Sequence, residues 1–89
     1  MTLRWSRPAA NDLHAIHDYI TQDNSETVAV AVIEKIIEAA GRMLSFPEIG
    51  RPGRVKATRE LVRPPYVLVY RILGDVLSIE RVLHGRRRK

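Results

Sequence analysis

Apolar residues in the first part of the chain recur at the spacing of an amphipathic helix. The short segment Thr2–Trp5 places Leu3 and Trp5 on one side, which is typical of a strand. Ser6 then offers a capping hydroxyl, and Pro8 stands in the first helical turn, where its missing amide costs no hydrogen bond. The apolar positions that follow, at intervals of four, three and four, are Ala9, Leu13, Ile16 and Ile20. We therefore predict a strand followed by a helix.

A second helix is predicted to begin soon after a break at Asp23 and Asn24. Ser25 can cap it, and Glu26 in its first turn interacts favourably with the helix dipole. Its apolar face consists of Ala29, Val32, Ile33, Ile36, Ala40 and Met43. The helix should end before Pro47, because the residue before a proline avoids helical dihedral angles. Two helices with so short a connection form an antiparallel hairpin.

The apolar period changes to two after a turn-rich connector over residues 47–53, and this change predicts strands. The predicted strands cover residues 58–62, Tyr66–Leu73 and Val76–His84. The middle strand is apolar on both faces apart from Arg71, as expected for a central strand. Gly74 and Asp75 form a two-residue hairpin loop, so the last two strands should pair antiparallel.

A two-residue loop fixes the register of this hairpin, since Leu73 must then face Val76. Continuing the same pairing places Leu68 opposite Arg81, on the apolar face that should receive the helices. A charge in that position needs a partner. We expect either that a helix carboxylate meets Arg81 or that this end of the sheet is open to solvent.

On the opposite face, the same register places Arg71 diagonal to Glu80, so a surface ion pair is expected. The predicted order of elements is β-α-α-β-β-β. This order indicates an α+β fold, a helical hairpin packed on a small antiparallel sheet. The 89 residues should form a single domain, with a basic tail at residues 85–89.

Charge is placed unevenly along the chain. Residues 1–50 hold four basic and seven acidic side chains, a net charge of −3, and residues 51–89 hold eleven basic and three acidic, a net charge of +8. The second half therefore either meets a polyanion or an acidic protein surface, or serves only to solubilise the domain. Cysteine is absent, which excludes disulfides and thiolate metal sites. Without an export signal or a bilayer-length apolar stretch, we expect a cytoplasmic protein with no membrane partner.

Several short segments, taken in order, resemble the RelE/ParE superfamily of toxins from type II toxin–antitoxin systems. The opening strand and helix match at Trp5, Ala9, Asp12, Leu13, Ile16, Tyr19 and Ile20, the connector at residues 46–53, and the sheet at residues 58–61, 66–71 and 82–87. The resemblance covers nearly the whole chain. It implies the fold predicted above and a toxin that a partner antitoxin neutralises. The superfamily divides into RelE-like ribosome-dependent mRNA endonucleases and ParE-like proteins that poison DNA gyrase.

The resemblance favours the ParE-like branch. Val67 stands where RelE-like toxins have a strand arginine, and Thr58 and Glu60 stand where they have lysines. Arg87 matches an arginine that RelE-like toxins place after the last strand, but the chain ends at Lys89, before their catalytic tyrosine. We therefore expect a non-enzymatic gyrase inhibitor and assign no catalytic residue. The alternative is a ribosome-dependent mRNA interferase that uses His84 and Arg87.

The candidate residues for binding the target are Arg59, Arg81, His84, Arg86, Arg87 and Arg88. A histidine beside arginines can act as a general acid or base, but a histidine at a strand end more often only bonds to backbone or water. Arg59 is expected either in this basic surface or in an ion pair with Glu60 or Glu80. His14 and His17 have a spacing compatible with a metal but no third ligand, so no metal site is predicted.

The expected partner is a ParD-like antitoxin whose acidic C-terminal segment folds into an apolar groove of the toxin. The candidate contacts are Leu13, Ile16, Ile20, Tyr66 and Tyr70. Helical apolar stripes more often form core than interface, so a purely structural role stays open for these residues. The complex should be a hetero-oligomer that reaches operator DNA through the antitoxin. No cofactor or small-molecule ligand is expected. A non-toxic binding module and a nucleic-acid-binding protein remain as alternatives.

Overall fold

A computed structural model describes residues 1–85 as two helices packed against one face of a single sheet. The elements are β1 (Thr2–Trp5), α1 (Arg7–Asp23), α2 (Glu26–Ser45), β2 (Arg51–Pro52), β3 (Arg59–Arg63), β4 (Tyr66–Leu73) and β5 (Val76–His84). The strands lie in the order β1-β5-β4-β3-β2. The predicted α+β fold is confirmed, with β2 as an additional short strand inside the connector.

Both helices begin at the predicted caps. The Ser6 hydroxyl accepts the Ala9 amide at 3.1 Å, and the Ser25 hydroxyl accepts the Val28 amide at 3.2 Å. The buried residues of α2 are Ala29, Ile36, Ala39, Ala40 and Met43. Helix α1 buries only Ala9 completely. The alanines have small side chains, so they let the helices approach each other and the sheet closely.

The sheet is mixed rather than wholly antiparallel. Strand β1 runs parallel to β5, with Thr2 opposite Val76 and Trp5 opposite Ile79. All the other strand pairs are antiparallel. Parallel neighbours need a crossover connection, and the helical hairpin lies within the chain that separates these two strands. The alternation within a four-residue strand does not reveal which strand will be its neighbour, so this pairing was not predicted.

The register of the β4–β5 hairpin follows the prediction only from the loop to the pair Tyr70–Ile79. A β-bulge then interrupts the pairing, and the next pair is Val69–Arg81. Glu80 is therefore the extra residue on β5. The predicted two-residue loop is confirmed, and Gly74 has the positive φ of 59° that a loop with glycine first requires.

The bulge moves every later residue of β5 by one position. Val82, not Arg81, lies opposite Leu68, so the predicted Leu68–Arg81 pair is wrong. Leu68 and Val82 join the buried core between helices and sheet. The ion pair expected between Arg71 and Glu80 is also absent among residues 1–85, because the bulge breaks the register that placed them diagonally.

Candidate interaction surfaces

Arg81 is held by a carboxylate of α1. Its Nε and Nη2 donate to the two Asp12 carboxylate oxygens at 2.7 and 3.0 Å, and the Val82 amide also donates to Asp12 Oδ2, at 2.9 Å. The hydrogen bonds to Asp12 raise the pKa of Arg81 above its usual value. Of the two predicted alternatives for Arg81, the helix carboxylate is correct. About half of the Arg81 side chain (49%) stays exposed.

His84 lies at the end of β5 against an aromatic ring. Its ring meets Tyr66 edge-on, with 5.7 Å between centroids and an interplanar angle of 83°. Tyr66 is paired across the sheet with His84 on one side and Arg63 on the other. Burial and the nearby Tyr19 raise the pKa of Tyr66. These contacts fix the strand end from which the basic tail continues. The candidates Arg86, Arg87 and Arg88 lie outside the described residues.

Arg59 and Tyr70 both bind the connector rather than a partner. Arg59 Nη1 donates to the carbonyl oxygens of Gly50 at 2.7 Å and Glu48 at 3.3 Å. The Tyr70 hydroxyl donates to the Pro47 carbonyl at 2.8 Å and accepts the Gly50 amide at 2.9 Å. In the part of the chain that the structure describes, Arg59 forms neither of the predicted ion pairs. Tyr70 has no exposed surface, so its prediction as an antitoxin contact was wrong, and it is a core residue.

The other predicted antitoxin contacts keep some exposed surface. Leu13, Ile16 and Tyr66 are half-buried and pack on the core cluster, and Ile20 is half-buried as well. The apolar face of α1 thus contributes mainly to the core. Only its outer edge is available to a partner.

The helix-free face of the sheet has an apolar row across three strands. Val67 pairs with Val62 on β3 and with Leu83 on β5, and only 3% of its surface is exposed. The nearby Glu60 is also buried, and it bonds to the Arg51 guanidinium and to the Arg54 amide, both at 3.3 Å. The three positions at which the resemblance places nuclease cations are thus occupied by Val67, Glu60 and Thr58, and all three are buried.

Further along the same face, two arginines flank a buried hydroxyl. Arg4 Nη1 donates to Ser78 Oγ at 2.8 Å, and Arg71 is paired with Ser78 across the sheet. Among residues 1–85, the buried Arg71 Nε has no hydrogen-bond partner. Sequence reasoning missed this polar row because it depends on the parallel pairing of β1.

Two concave surfaces were also missed. One, of about 440 Å³, lies between α2 and the β3–β4 turn, and its lining consists of Val32, Lys35, Ile36, Arg63, Pro64, Pro65 and Tyr66. We call it the α2 groove. The other, of about 850 Å³, lies at the connector and is lined by Met1, Ser45, Phe46, Pro47, Glu48, Ile49 and Ile72. Their residues come from separate elements, so only the folded chain brings them together.

Within residues 1–85, no three His, Cys, Asp or Glu side chains come together as a metal-binding group. His17 lies 3.4 Å from Asp18 and 3.9 Å from Glu26, and His14 is exposed. No helix in the same range is long and apolar enough to cross a membrane.

The fold matches solved toxin–antitoxin structures. A chain from the chromosomal ParDE system of P. aeruginosa superposes with a TM-score of 0.85 at 30% sequence identity, covering 94% of this chain and 95% of that one. A chain from the RelBE2 toxin–antitoxin complex of Mycobacterium tuberculosis has a TM-score of 0.71 at 27% identity, covering 93% and 95%. The architecture is therefore that of the toxins of such systems.

The family itself follows from sequence relatives. The family model described as the ParE toxin of the type II toxin–antitoxin system parDE matches residues 3–89. Caulobacter vibrioides toxins RelE2 and ParE3 are 34% and 30% identical to this chain, covering 93% and 91% of it and 93% and 83% of their own lengths. A Sinorhizobium fredii protein designated Y4kP is 39% identical, covering 96% and 88%. This chain belongs to the ParE toxin family.

Proposed function

We propose that this toxin arrests growth by binding and poisoning DNA gyrase, and that it has no nuclease activity of its own. The observation that carries the proposal is the apolar row formed by Val62, Val67 and Leu83 on the helix-free face. Cleavage of RNA needs a proton acceptor, a proton donor and cations for the developing phosphate charge. An apolar row offers none of these groups.

Two residues near this row, Glu60 and Thr58, are also unsuited to cleavage. The buried Glu60 carboxylate already accepts hydrogen bonds from the Arg51 guanidinium and the Arg54 amide, so Glu60 provides no cation for a phosphate. Thr58 directs its hydroxyl to the Val55 carbonyl at 2.6 Å. Loss of one preorganised catalytic donor lowers a rate by about 10²–10³, so the absence of several leaves negligible activity.

A binding mechanism needs an exposed surface with fixed charges instead. Arg81 is oriented by Asp12 and keeps half of its surface exposed, and His84 lies on the same strand. The chain then continues into Arg86, Arg87 and Arg88. Such a cationic cluster favours an acidic protein surface, mainly through faster association and partner selection. We propose that gyrase is contacted here. Arg59 is no longer among the proposed target-binding residues, because its guanidinium binds the Gly50 carbonyl of the connector.

A ParD-like antitoxin is proposed to hold the toxin inactive in the cytoplasm, in a hetero-oligomer that binds operator DNA through the antitoxin. The ParDE and RelBE2 systems among the structural neighbours support a partner of this kind. The exposed parts of Leu13, Ile16 and Ile20 on α1 and of Tyr66 are its proposed contacts.

The alternative is an mRNA interferase. The RelE2 relative and the packing of His84 against Tyr66 favour it, because a fixed histidine can transfer protons. Induction of the toxin alone in growing cells distinguishes the two. Gyrase poisoning gives filamentous cells and a DNA-damage response, with intact mRNA. Early loss of mRNA and arrest of translation without DNA damage would refute the gyrase proposal.

A further inference from the structure

Two arginines and a serine form a row across three strands on the helix-free face of the sheet. Arg4 on β1 and Arg71 on β4 both pair with Ser78 on β5, which lies between them. Neighbouring strands lie about 4.8 Å apart, so the two arginine Cα atoms are about 10 Å apart and both long side chains can reach one ligand between them. Ser78 has no exposed surface on a face that carries no helix, which indicates that the flanking side chains cover it.

Arg4 is oriented in this row without losing its charge. Its Nη1 donates to Ser78 Oγ at 2.8 Å, and a serine hydroxyl is a neutral acceptor. Arg81, by contrast, is bound by the Asp12 carboxylate, which neutralises it. Ser78 therefore fixes the direction of a cation and leaves the charge of that cation available to a ligand.

Arg71 has a donor that the described part of the protein does not use. Its Nε is buried, and within residues 1–85 it has no hydrogen-bond partner. In the same range no ion pair includes Arg4 or Arg71, and Glu80, the acidic residue of β5, pairs with neither. A buried donor without an acceptor is unfavourable, so the Arg71 guanidinium is stabilised by turning this edge towards an oxygen atom that a ligand supplies.

We propose that Arg4 and Arg71 bind a terminal phosphate group between them, with Ser78 as the residue that positions Arg4. The inference goes beyond the gyrase proposal and does not depend on it. Guanidinium groups match phosphate and carboxylate oxygen atoms in geometry as well as in charge. The terminal phosphate belongs either to a small molecule or to the end of a nucleic-acid strand.

The charge of the row indicates this class of ligand. At neutral pH a terminal phosphate carries about 1.5–2 negative charges and three strong acceptor oxygens, so it can balance two guanidinium groups and accept hydrogen bonds from both. A carboxylate or an internal phosphodiester carries a single negative charge and leaves one cation unneutralised. Neither arginine lines either of the two concave surfaces, so the ligand is held on an open face through its phosphate and not by enclosure.

Nuclear magnetic resonance of the full-length, nitrogen-15-labelled toxin tests the site through the Arg4 and Arg71 Nε–H signals. Inorganic phosphate should shift both signals, and acetate at the same ionic strength should shift them much less. An oligonucleotide with a terminal phosphate and the same oligonucleotide with a terminal hydroxyl then distinguish the source. A shift with the phosphorylated form identifies a nucleic-acid end, and a shift with inorganic phosphate alone identifies a small molecule. Equal shifts with acetate, equal shifts with both oligonucleotides, or no shift with either phosphate ligand would overturn the proposal.

Substitutions test the role of each residue, with circular dichroism to establish that every variant is folded. Arg4→Gln/Arg71→Gln should weaken phosphate binding ~10-fold or more, because two charge-assisted contacts are lost. Arg7→Gln/Lys56→Gln makes the same charge change at exposed positions outside the row and should bind within ~2-fold of the unmodified toxin.

Ser78→Ala should weaken binding ~3-fold in the unmodified toxin but have no further effect once Arg4→Gln is present, since Ser78 acts through Arg4. An effect of Ser78→Ala that is equal in both backgrounds would contradict the positioning role. Equal losses in the Arg4→Gln/Arg71→Gln variant and its control would remove the phosphate from this row.

Discussion

At the residue scale, Tyr70 and Arg59 hold the connector against the sheet through hydrogen bonds. Together they satisfy the carbonyl groups of Pro47, Glu48 and Gly50, and Tyr70 also accepts the Gly50 amide. Backbone groups without partners are costly where they are buried, so these side chains stabilise the turn in addition to its own hydrogen bond from the Ile49 amide to the Phe46 carbonyl. Gly50 is required at this position because a Cβ there would lie 2.8 Å from the Tyr70 hydroxyl.

Tyr70→Phe should destabilise the fold without changing its topology. The change leaves the Pro47 carbonyl and the Gly50 amide without their partner, at a cost of about 1–3 kcal/mol. For a domain of this size, each kcal/mol lowers Tm by about 4–8 °C in thermal unfolding. Tyr19→Phe is the control, because 63% of Tyr19 is exposed. Equal Tm values for the two variants would exclude the proposed role of the Tyr70 hydroxyl.

His84→Ala tests the residue on which the interferase alternative depends. If the toxin acts by binding, loss of the half-buried imidazole removes its contact with Tyr66 and leaves growth arrest within about threefold of the unmodified toxin, since most single residues of an interface contribute little. The readout is colony formation after induction, normalised to the amount of folded protein. Complete loss of toxicity in a folded variant would favour catalysis by His84.

At this scale, the sequence shows which polar side chains need a partner better than it shows what those partners are. It left open whether Arg81 meets a helix carboxylate or solvent, and it did not indicate that Asp12 binds Arg81 across 69 positions of the chain. It placed Arg59 either in the basic surface or in an ion pair with Glu60 or Glu80, and it placed Tyr70 at the antitoxin contact. Their true partners are main-chain carbonyl groups of the connector, which no side-chain pattern displays.

At the scale of elements, the bulge in β5 connects the sheet to α1. Asp12 accepts the Val82 amide immediately after the bulge, and the Ser6 hydroxyl donates to the Glu80 carbonyl at 2.9 Å. The start of α1 is therefore fixed at the irregular part of the strand. A bulge leaves a residue out of the ladder, and side chains of α1 compensate for this.

Asp12→Ala should lower the free energy of unfolding, because it removes the link between α1 and the bulge. Asp12→Asn should lower it by less. The alanine removes the acceptor of both the Arg81 guanidinium and the Val82 amide, and we expect a loss of about 1–2 kcal/mol in urea unfolding. Asparagine keeps one carbonyl oxygen and should lose about half as much. Asp18→Ala, an exposed carboxylate on the same helix, should change stability little. Equal effects of all three changes would contradict this account.

The helices and hairpins were predictable because capping, period and loop residues act locally. Ser6, Ser25 and Gly74 each fixed a boundary or a turn within a few residues. The bulge and the parallel pairing of β1 were not predictable, because they depend on contacts between distant segments. A single extra residue in β5 was enough to exchange the predicted positions of Arg81 and Val82.

At the scale of the whole molecule, two of the regions that carry basic side chains lie on separate elements. Lys35 and Arg63 border the α2 groove, while Arg81 precedes the basic tail. The charge asymmetry of the sequence was predictable, but the assignment of basic residues to separate regions required the fold. On our account the region at Arg81 meets the target.

Charge reversal of Arg86 and Arg87 to Glu should reduce toxicity strongly, by ~10-fold or more in the concentration that arrests growth, because association with an acidic surface depends on these charges. Lys56→Glu/Arg7→Glu makes the same change in net charge elsewhere and should remain toxic. Growth assays with matched expression compare the two. A tail variant as toxic as the control would remove the tail from the target contact.

The central claim is tested most directly with purified toxin, DNA gyrase and supercoiled plasmid. Addition of the toxin should cause gyrase-linked double-strand breaks to accumulate, and the neighbouring antitoxin should prevent them. In parallel reactions with ribosomes and a defined mRNA, the same preparation should leave the message intact, because the Val62–Val67–Leu83 row has no cation or proton donor. Unaffected gyrase together with ribosome-dependent cleavage of the message would contradict the account.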